Sequence, residues 1–385
     1  MEIRSITLFT DAHANPADYH PFLTAAPAAF AYPVQTTRLA TPPFPDWWDG
    51  HVKSIGPFAE RWREVGVAYA SLGPVQLRHA AAGLADLPTL LAATDMLFAS
   101  VEIADQNGRI SLTRCQQTAR LIRQVSTILD NGFGNLYLTA VANCPPGSPF
   151  FPVAYHQGGP AHFALAVQAA DLALQAFQAA TTLDEARQNL VNAIETAAAS
   201  LTQCAEKLAA QFHIPFSGID FSLAPFPTDA QSLGGAMEAL GLPHVGASGS
   251  LFAAGFITQA IKQAQFRRCG FSGLMLPVLE DSVLARRAGE GVLSVQDLLS
   301  YCAVCGVGLD TIPLPGEVSE AQLTAVLLDI AMLATRLNKP LTARLMPLPG
   351  LQAGDPVSFD FPYFAPSRVM GLMGTGVTGL LKQSE

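Results

Sequence analysis

The sequence predicts an α/β fold. Short apolar strands alternate with amphipathic helices along almost all of its 385 residues, the pattern of a closed barrel or of an open doubly wound sheet. Runs such as Leu136-Tyr-Leu-Thr-Ala-Val-Ala142 and Leu274-Met-Leu-Pro-Val-Leu279 are apolar or small throughout. That composition suits strands buried on both faces, as in a parallel sheet. No Pro/Gly/Ser-rich linker divides the chain, so residues 1–385 are expected to form one domain with a short flexible tail over about 372–385.

Ten strands are expected, at 2–9, 35–40, 66–72, 96–103, 135–142, 162–168, 217–223, 272–279, 303–309 and 341–347. Between them, Ser111 to Asp130 and Gly249 to Gln265 have helical periodicity. Thr182 with Glu185 makes a capping box, after which Leu183, Ala186, Leu190, Ile194, Ala197, Leu201, Cys204, Leu208 and Phe212 repeat at helical spacing. Thr228 with Gln231 opens a further helix that stops at Gly241, and Ser319 with Gln322 opens one that stops before Pro340. The Pro-rich stretches 41–46 and 144–152 are expected as loops over strand ends. In Ser294 to Gly316, a short helix capped by Ser294 runs into Cys302-Ala-Val-Cys305. A strand from Gly306 to Leu309 then ends on Asp310, before Pro313, Pro315 and Gly316 break the chain.

Composition narrows the function classes. Half of the residues are hydrophobic and 14% are charged, against about 25% charged in a typical soluble protein. Much of the chain is therefore buried, or its surface is covered by homo-oligomerisation. A net charge of −9 argues against a nucleic-acid partner, whose phosphates need a basic face. The arginine pairs 267/268 and 286/287 are expected as charge at helix ends. Met1 to His13 lacks the pattern of a signal peptide, and no uncharged apolar run reaches the ~20 residues of a membrane span. Six cysteines in this length are too few for a disulfide scaffold. A cytoplasmic protein with no membrane partner is expected.

Several residues carry chemistry at informative places. Cys302-x-x-Cys305 resembles a redox or half-zinc motif, but no second CxxC or HxxxH completes a zinc site. The pair follows a helix, whereas a thioredoxin-like pair opens one, so burial as small hydrophobes competes with a nucleophilic role. His156, in a Gly/Pro-shaped loop after a strand, is placed for proton transfer. Glu280-Asp281 follows a buried strand and could bind a cation or share a proton, with Asp281 alternatively capping the next helix. Asp220 lies inside a buried strand, where a carboxylate has to be paired or functional, and Ser222 points the same way. Gly246-Ala-Ser248-Gly249-Ser250 opens a helix and is a near miss for the G-x-S-x-G elbow, with ordinary capping the competing role. Gly374-Thr-Gly376-Val-Thr-Gly379 matches G-x-G-x-x-G without the following strand and helix that a dinucleotide site needs.

Several segments together resemble a family. They are Met1–Thr10, Asn143 with His156, Ile219-Asp-Phe-Ser-Leu-Ala-Pro225, Phe271-Ser-Gly-Leu-Met-Leu-Pro-Val-Leu-Glu-Asp281, Cys305-Gly-Val-Gly-Leu-Asp310 and Asn338-Lys-Pro-Leu-Thr-Ala-Arg344, followed by Gly354-Asp355. Their order and spacing are similar to the domain of unknown function 711 family (uncharacterised protein family 0210) of prokaryotic proteins, over nearly the full chain. The resemblance implies a ten-stranded β/α barrel of the pyruvate formate-lyase / ribonucleotide reductase type, and no established reaction. Glycyl radical enzymes of that fold use thiols on a loop inside the barrel and a C-terminal glycine. Arg368-Val-Met-Gly371-Leu is faintly similar to their radical-site motif, but this chain is far shorter and radical chemistry is not expected of it. Ala247-Ser248-Gly249 stands where the family pattern has a Thr-His-Gly turn, which puts any role of that histidine in doubt here.

The expectation is thus an enzyme acting on a small polar metabolite, in a pocket at the C-terminal ends of the strands, where barrel enzymes keep their sites. His156 would move a proton, Glu280 or Asp220 would orient substrate, and Cys305 would line the pocket or attack. Glu102, Asn143, Ser222, Ser248, Asp310 and Arg344 are the expected substrate-binding residues. No metal ligand set is identified, and no cofactor can be named. A non-catalytic small-molecule-binding or regulatory protein is the alternative.

Overall fold

The computed structural model describes residues 1–382. All ten expected strands form: β1 (Glu2–Phe9), β2 (Thr37–Ala40), β3 (Tyr69–Val75), β4 (Leu97–Ala104), β5 (Leu138–Ala142), β6 (His162–Gln168), β7 (Phe216–Ala224), β8 (Leu276–Pro277), β9 (Gly308–Pro315) and β10 (Leu341–Leu348). They make one sheet in the order β7-β6-β1-β2-β3-β4-β5-β10-β9-β8. β1 through β5 are parallel. β6 is antiparallel to β1, and β10 is antiparallel to β5. Within the second half, β6 and β7 are parallel, as are β8, β9 and β10. Two parallel five-strand halves therefore run in opposite directions.

The two outer strands share a stretch of chain. The Ile219 N–H of β7 donates to Arg267 O at 2.8 Å, and Cys269 N–H donates back to Ile219 O at 3.1 Å. The same stretch then runs to β8, which pairs with β9. The expected strand 272–279 shrinks to two paired residues because Ser272 sits at φ 39°, which breaks the extended run. β9 corrects the expectation in the other direction. It starts at Gly308 and continues past Asp310 through Pro313 to Pro315. β8 covers β9 only at Leu309 and Asp310, so beyond them no strand on that edge requires an N–H from Pro313 or Pro315. Cys302 and Cys305 lie in turns ahead of this strand.

The helices form where periodicity places them, at Leu112–Val125, Leu183–Phe212, Ser250–Gln263, Val295–Tyr301 and Glu320–Arg336. Ser294 and Ser319 make complete capping boxes. The helix expected from Thr228 instead begins after Ser232, whose side chain caps Gly235 N–H, with a short 3-10 turn ahead of it. Helices pack on one another and on the strands, Leu112–Val125 against Glu320–Arg336 and Leu183–Phe212 against Ser250–Gln263. No helix among the described residues is long and apolar enough to cross a membrane. The tail is hydrogen-bonded in place: Val377 N–H donates to Ala321 O and Gln322 Nε2 to Gly374 O. Residues 383–385 of the expected flexible segment lie outside the described residues.

The connection from β5 to β6 is the least regular and the most consequential. It leaves at Asn143, beside the end of β4. Its middle sets Phe151 edge-to-face against Phe98, near the start of β4, with centroids 5.4 Å apart. It then returns so that His156 N–H donates to Thr41 O, just past the end of β2. The loop therefore spans the length of the strands, and Ser148 and Phe151 to His156 are buried.

Gly306 and Gly273 touch between β8 and β9. A Cβ on Gly306 would lie 2.3 Å from the Gly273 Cα, closer than atoms approach. Gly306→Ala should therefore destabilise the protein by about 1–3 kcal/mol, read as a lower denaturant midpoint with an unchanged slope.

Candidate functional site

A cavity of about 100 Å³ opens where the first half of the sheet begins and the second half ends. Arg4 and Arg38 come from β1 and β2, Tyr69 and Phe98 from the first residues of β3 and β4, and Tyr137 from just before β5. Ser222 of β7, Glu280 just past β8 and Arg344 of β10 face them. The tip of the β5–β6 loop supplies Pro149, Phe150 and Phe151, and a segment after β10 supplies Phe361 and Tyr363. That volume holds several waters or a small metabolite.

One carboxylate organises the charges. Glu280 is 2% exposed. It accepts from Arg4 Nη2 and, at 2.9 Å, from Arg344 Nη2. Arg344 also donates through Nε to Asp310 Oδ1 at 2.5 Å. Burial alone would push the Glu280 carboxyl up, but Arg4 and Arg344 outweigh it and hold it below the usual carboxylate range. Asp310 goes the other way: burial, with Glu280 nearby, outweighs Arg344 and holds it above that range. The two carboxyls on one guanidinium are thus shifted in opposite directions.

The arginines are in excess. Arg4 Nη1 is buried and has no hydrogen-bond partner. Arg38 donates through Nε to Thr36 Oγ1 at 2.9 Å, and its guanidinium lies over Phe151 and Tyr69, 5.0 and 5.7 Å from the ring centroids. It makes no ion pair among the described residues. Burial and repulsion from Arg4 pull Arg38 down to about 9, which leaves it cationic at neutral pH. Three guanidiniums are set against the two carboxyls of Glu280 and Asp310, so the cavity carries surplus positive charge.

The expected site residues divide between the two ends of the strands. Glu280, Arg344, Asp310 and Ser222 meet at or behind the cavity. Asp220 stands behind Ser222, which donates to it, and also accepts Phe271 and Ser272 N–H at 3.0 Å each. Those bonds satisfy Asp220 while it pins the chain entering β8. Asp281 accepts from Ser232 Oγ and from Leu233, Gly234, Val283 and Leu284 N–H. It is thus the helix cap, and Glu280 and Asp281 do not form a shared cation or proton site. Among the described residues, no group of three or more His, Cys, Asp or Glu could hold a metal ion.

The remaining expected residues lie elsewhere. Glu102, late in β4, accepts Leu77 N–H at 2.7 Å, and burial raises its carboxyl. Asn143 donates to Asn338 Oδ1 at 3.3 Å. His156 packs on His162 with centroids 5.3 Å apart, its Nδ1 buried without a partner. Cys305 sits in the turn before β9. These four are at the opposite end from Glu280, so the expected single pocket at all C-terminal strand ends is corrected: the antiparallel junctions put the ends of β1–β5 and of β6–β10 on opposite sides. Ser248 is exposed, Gly249 takes the N-cap position, and no elbow forms. The tip of the β5–β6 loop brings Phe150 and Phe151, and no thiol, to the cavity.

Arg4, Arg38 and the aromatic wall were missing from the sequence reading. The signal for the arginines was present, since each lies within an expected buried strand, as Asp220 does.

These features define an α/β protein with an arginine-rich, aromatic-walled interior cavity. A family model described as "Uncharacterised ACR (DUF711)" matches residues 17–360, and the chain belongs to that family. It is similar to UPF0210 proteins of Pyrobaculum arsenaticum (31% identity over 286 residues), Pyrobaculum aerophilum (32% over 277) and Lactiplantibacillus plantarum (30% over 288). These matches cover 72%, 70% and 72% of this chain, and 63%, 61% and 63% of the respective relatives. The chain thus spans less than two thirds of their length. The family's function is unknown.

Two outcomes follow. Glu280→Ala leaves Arg4 and Arg344 buried and short of a counter-charge, and should cost about 3–5 kcal/mol, measured by denaturant unfolding. Burial lowers both His156 and His162, so the unfolded chain takes up their protons first as pH falls below about 6.5. Their neutral forms support the fold fully above that pH, and the support is lost toward the lower folded values. A His156→Gln/His162→Gln double variant should therefore lose less stability than the parent between pH 7 and pH 5.

Proposed function

We propose that the cavity binds a small anionic metabolite with a flat or apolar body. The observation that carries this reading is the unpartnered Nη1 of buried Arg4 beside an Arg38 that has no acid partner. A buried donor left unmade is costly, and a carboxylate or phosphate oxygen would satisfy it and relieve the repulsion between the two arginines. Phe98, Phe150, Phe151 and Tyr363 would cover the rest of the ligand. The reading takes the sheet to be closed into a ten-stranded barrel of the pyruvate formate-lyase type. The bonds from β7 to residues 267–269, in the stretch that becomes β8, support that closure.

A second reading, enzymatic turnover of that ligand, is favoured by the opposed tendencies of Glu280 and Asp310. Two carboxyl groups held apart in this way can serve as base and acid. On this reading Asp310→Asn would abolish turnover while leaving affinity nearly intact.

A thermal-shift panel of aromatic and aliphatic carboxylates and phosphates tests the first reading. A ligand present at 100 times its Kd contributes about 2.7 kcal/mol, a shift of several degrees. The shift should vanish in Arg38→Ala. A panel with no shift, or a shift that Arg38→Ala leaves unchanged, would overturn the assignment.

A further inference from the structure

The cysteine pair lies at the other end of the strands and takes no part in the cavity. Cys302 ends the helix Val295–Tyr301, its N–H donating to Leu298 O at 3.0 Å. Cys305 follows three residues later, across a two-residue turn. Both are buried, but Ala303 between them is exposed and Val304 is half-buried. The turn between the two cysteines thus reaches the surface.

Lys339 reaches into this turn. Its Nζ donates to Cys302 O at 2.8 Å and to Cys305 O. The charged or titratable groups acting on its ammonium are the two thiols and Lys262, so no carboxylate competes with the sulfurs for it. The Lys339 ammonium, held on the turn between the two cysteines, supplies the positive charge that a helix N-terminus gives other CxxC pairs.

The sulfurs differ accordingly. The neighbouring Cys302 thiol, with Lys339 and the Gly308 and Val307 N–H groups, draws Cys305 down to about 6 against its burial. Cys302 is pushed well up by Cys305 and by burial. Burial pushes Cys115 up to about 12 and also raises Cys144, Cys204 and Cys269. Of the six cysteines, Cys305 alone is drawn below the usual thiol range.

We propose that Cys302 and Cys305 form a redox pair that exchanges with low-molecular-weight disulfides. The Cys305 thiolate attacks one sulfur of the disulfide, forming a mixed disulfide and expelling one thiolate. Cys302 loses its proton to solvent and attacks the Cys305 sulfur, expelling the second. The pair is oxidised by two electrons to a Cys302–Cys305 disulfide, and the small disulfide is reduced to two thiols.

The test uses the full chain, reduced and then exposed to oxidised glutathione, with unreacted thiols alkylated before peptide mass analysis. A Cys302–Cys305 disulfide is expected to form while the chain stays folded by circular dichroism. Cys302→Ser should instead trap glutathione on Cys305. The pH midpoint for that trapping should rise by about one unit when Lys339→Gln is added, and not when Lys339→Arg is added. If Lys339→Gln does not fold, the Cys302→Ser adduct alone decides. Glutathione on half-exposed Cys204 with no Cys302–Cys305 disulfide, or Cys302→Ser without an adduct on Cys305, would overturn the proposal.

Discussion

The Glu280 carboxylate holds the two halves of the sheet together electrostatically. It takes one guanidinium from β1 and one from β10, strands that lie in oppositely directed halves. Placing charges so deep costs several kcal/mol per ion, and only a fixed geometry recovers it. The strands supply that geometry: Arg4 and Arg344 each stand at a register irregularity, where the ladder of β1 or β10 skips one residue. The ion cluster in turn explains why the cavity stays open. Filling it with aliphatic side chains would leave Arg4 and Arg344 without the polar surroundings they need.

The sheet's change of direction explains how much of the molecule the sequence could tell. Element identity is a local property, carried by period and caps. Each of the ten strands overlaps an expected run, although β8 keeps two residues of its run and β9 only the end of its own, and Ser294 and Ser319 cap the helices their spacing announced. Strand direction within a sheet is not local. Nothing in His162 to Gln168 or Leu341 to Leu348 says that each pairs antiparallel with its neighbour from the first half. Candidate residues at strand ends were therefore gathered into one pocket, whereas the fold sends Glu102, Asn143 and His156 to one end and Glu280 and Arg344 to the other.

Single residues show the same division. Asp220 inside a strand was legible as a carboxylate that must be satisfied, and its three donors satisfy it. Arg4 and Arg38 obey the same rule, but a cation near a strand's start is easily taken for surface charge. β9 ran past its expected end because prolines break strands only where both edges are paired. That β9 has one covered edge beyond Asp310 is again information about its neighbours.

The loop from β5 to β6 has a consequence of its own. It is anchored at one end of the strands and forms a wall at the other, so the surface that senses a ligand's shape and the residues that sense its charge belong to separate parts of the chain. Phe150 and Phe151 can change size without disturbing Arg4, Glu280 or any strand pairing. The architecture thus allows selectivity to diverge by editing a few loop positions on a constant ionic floor.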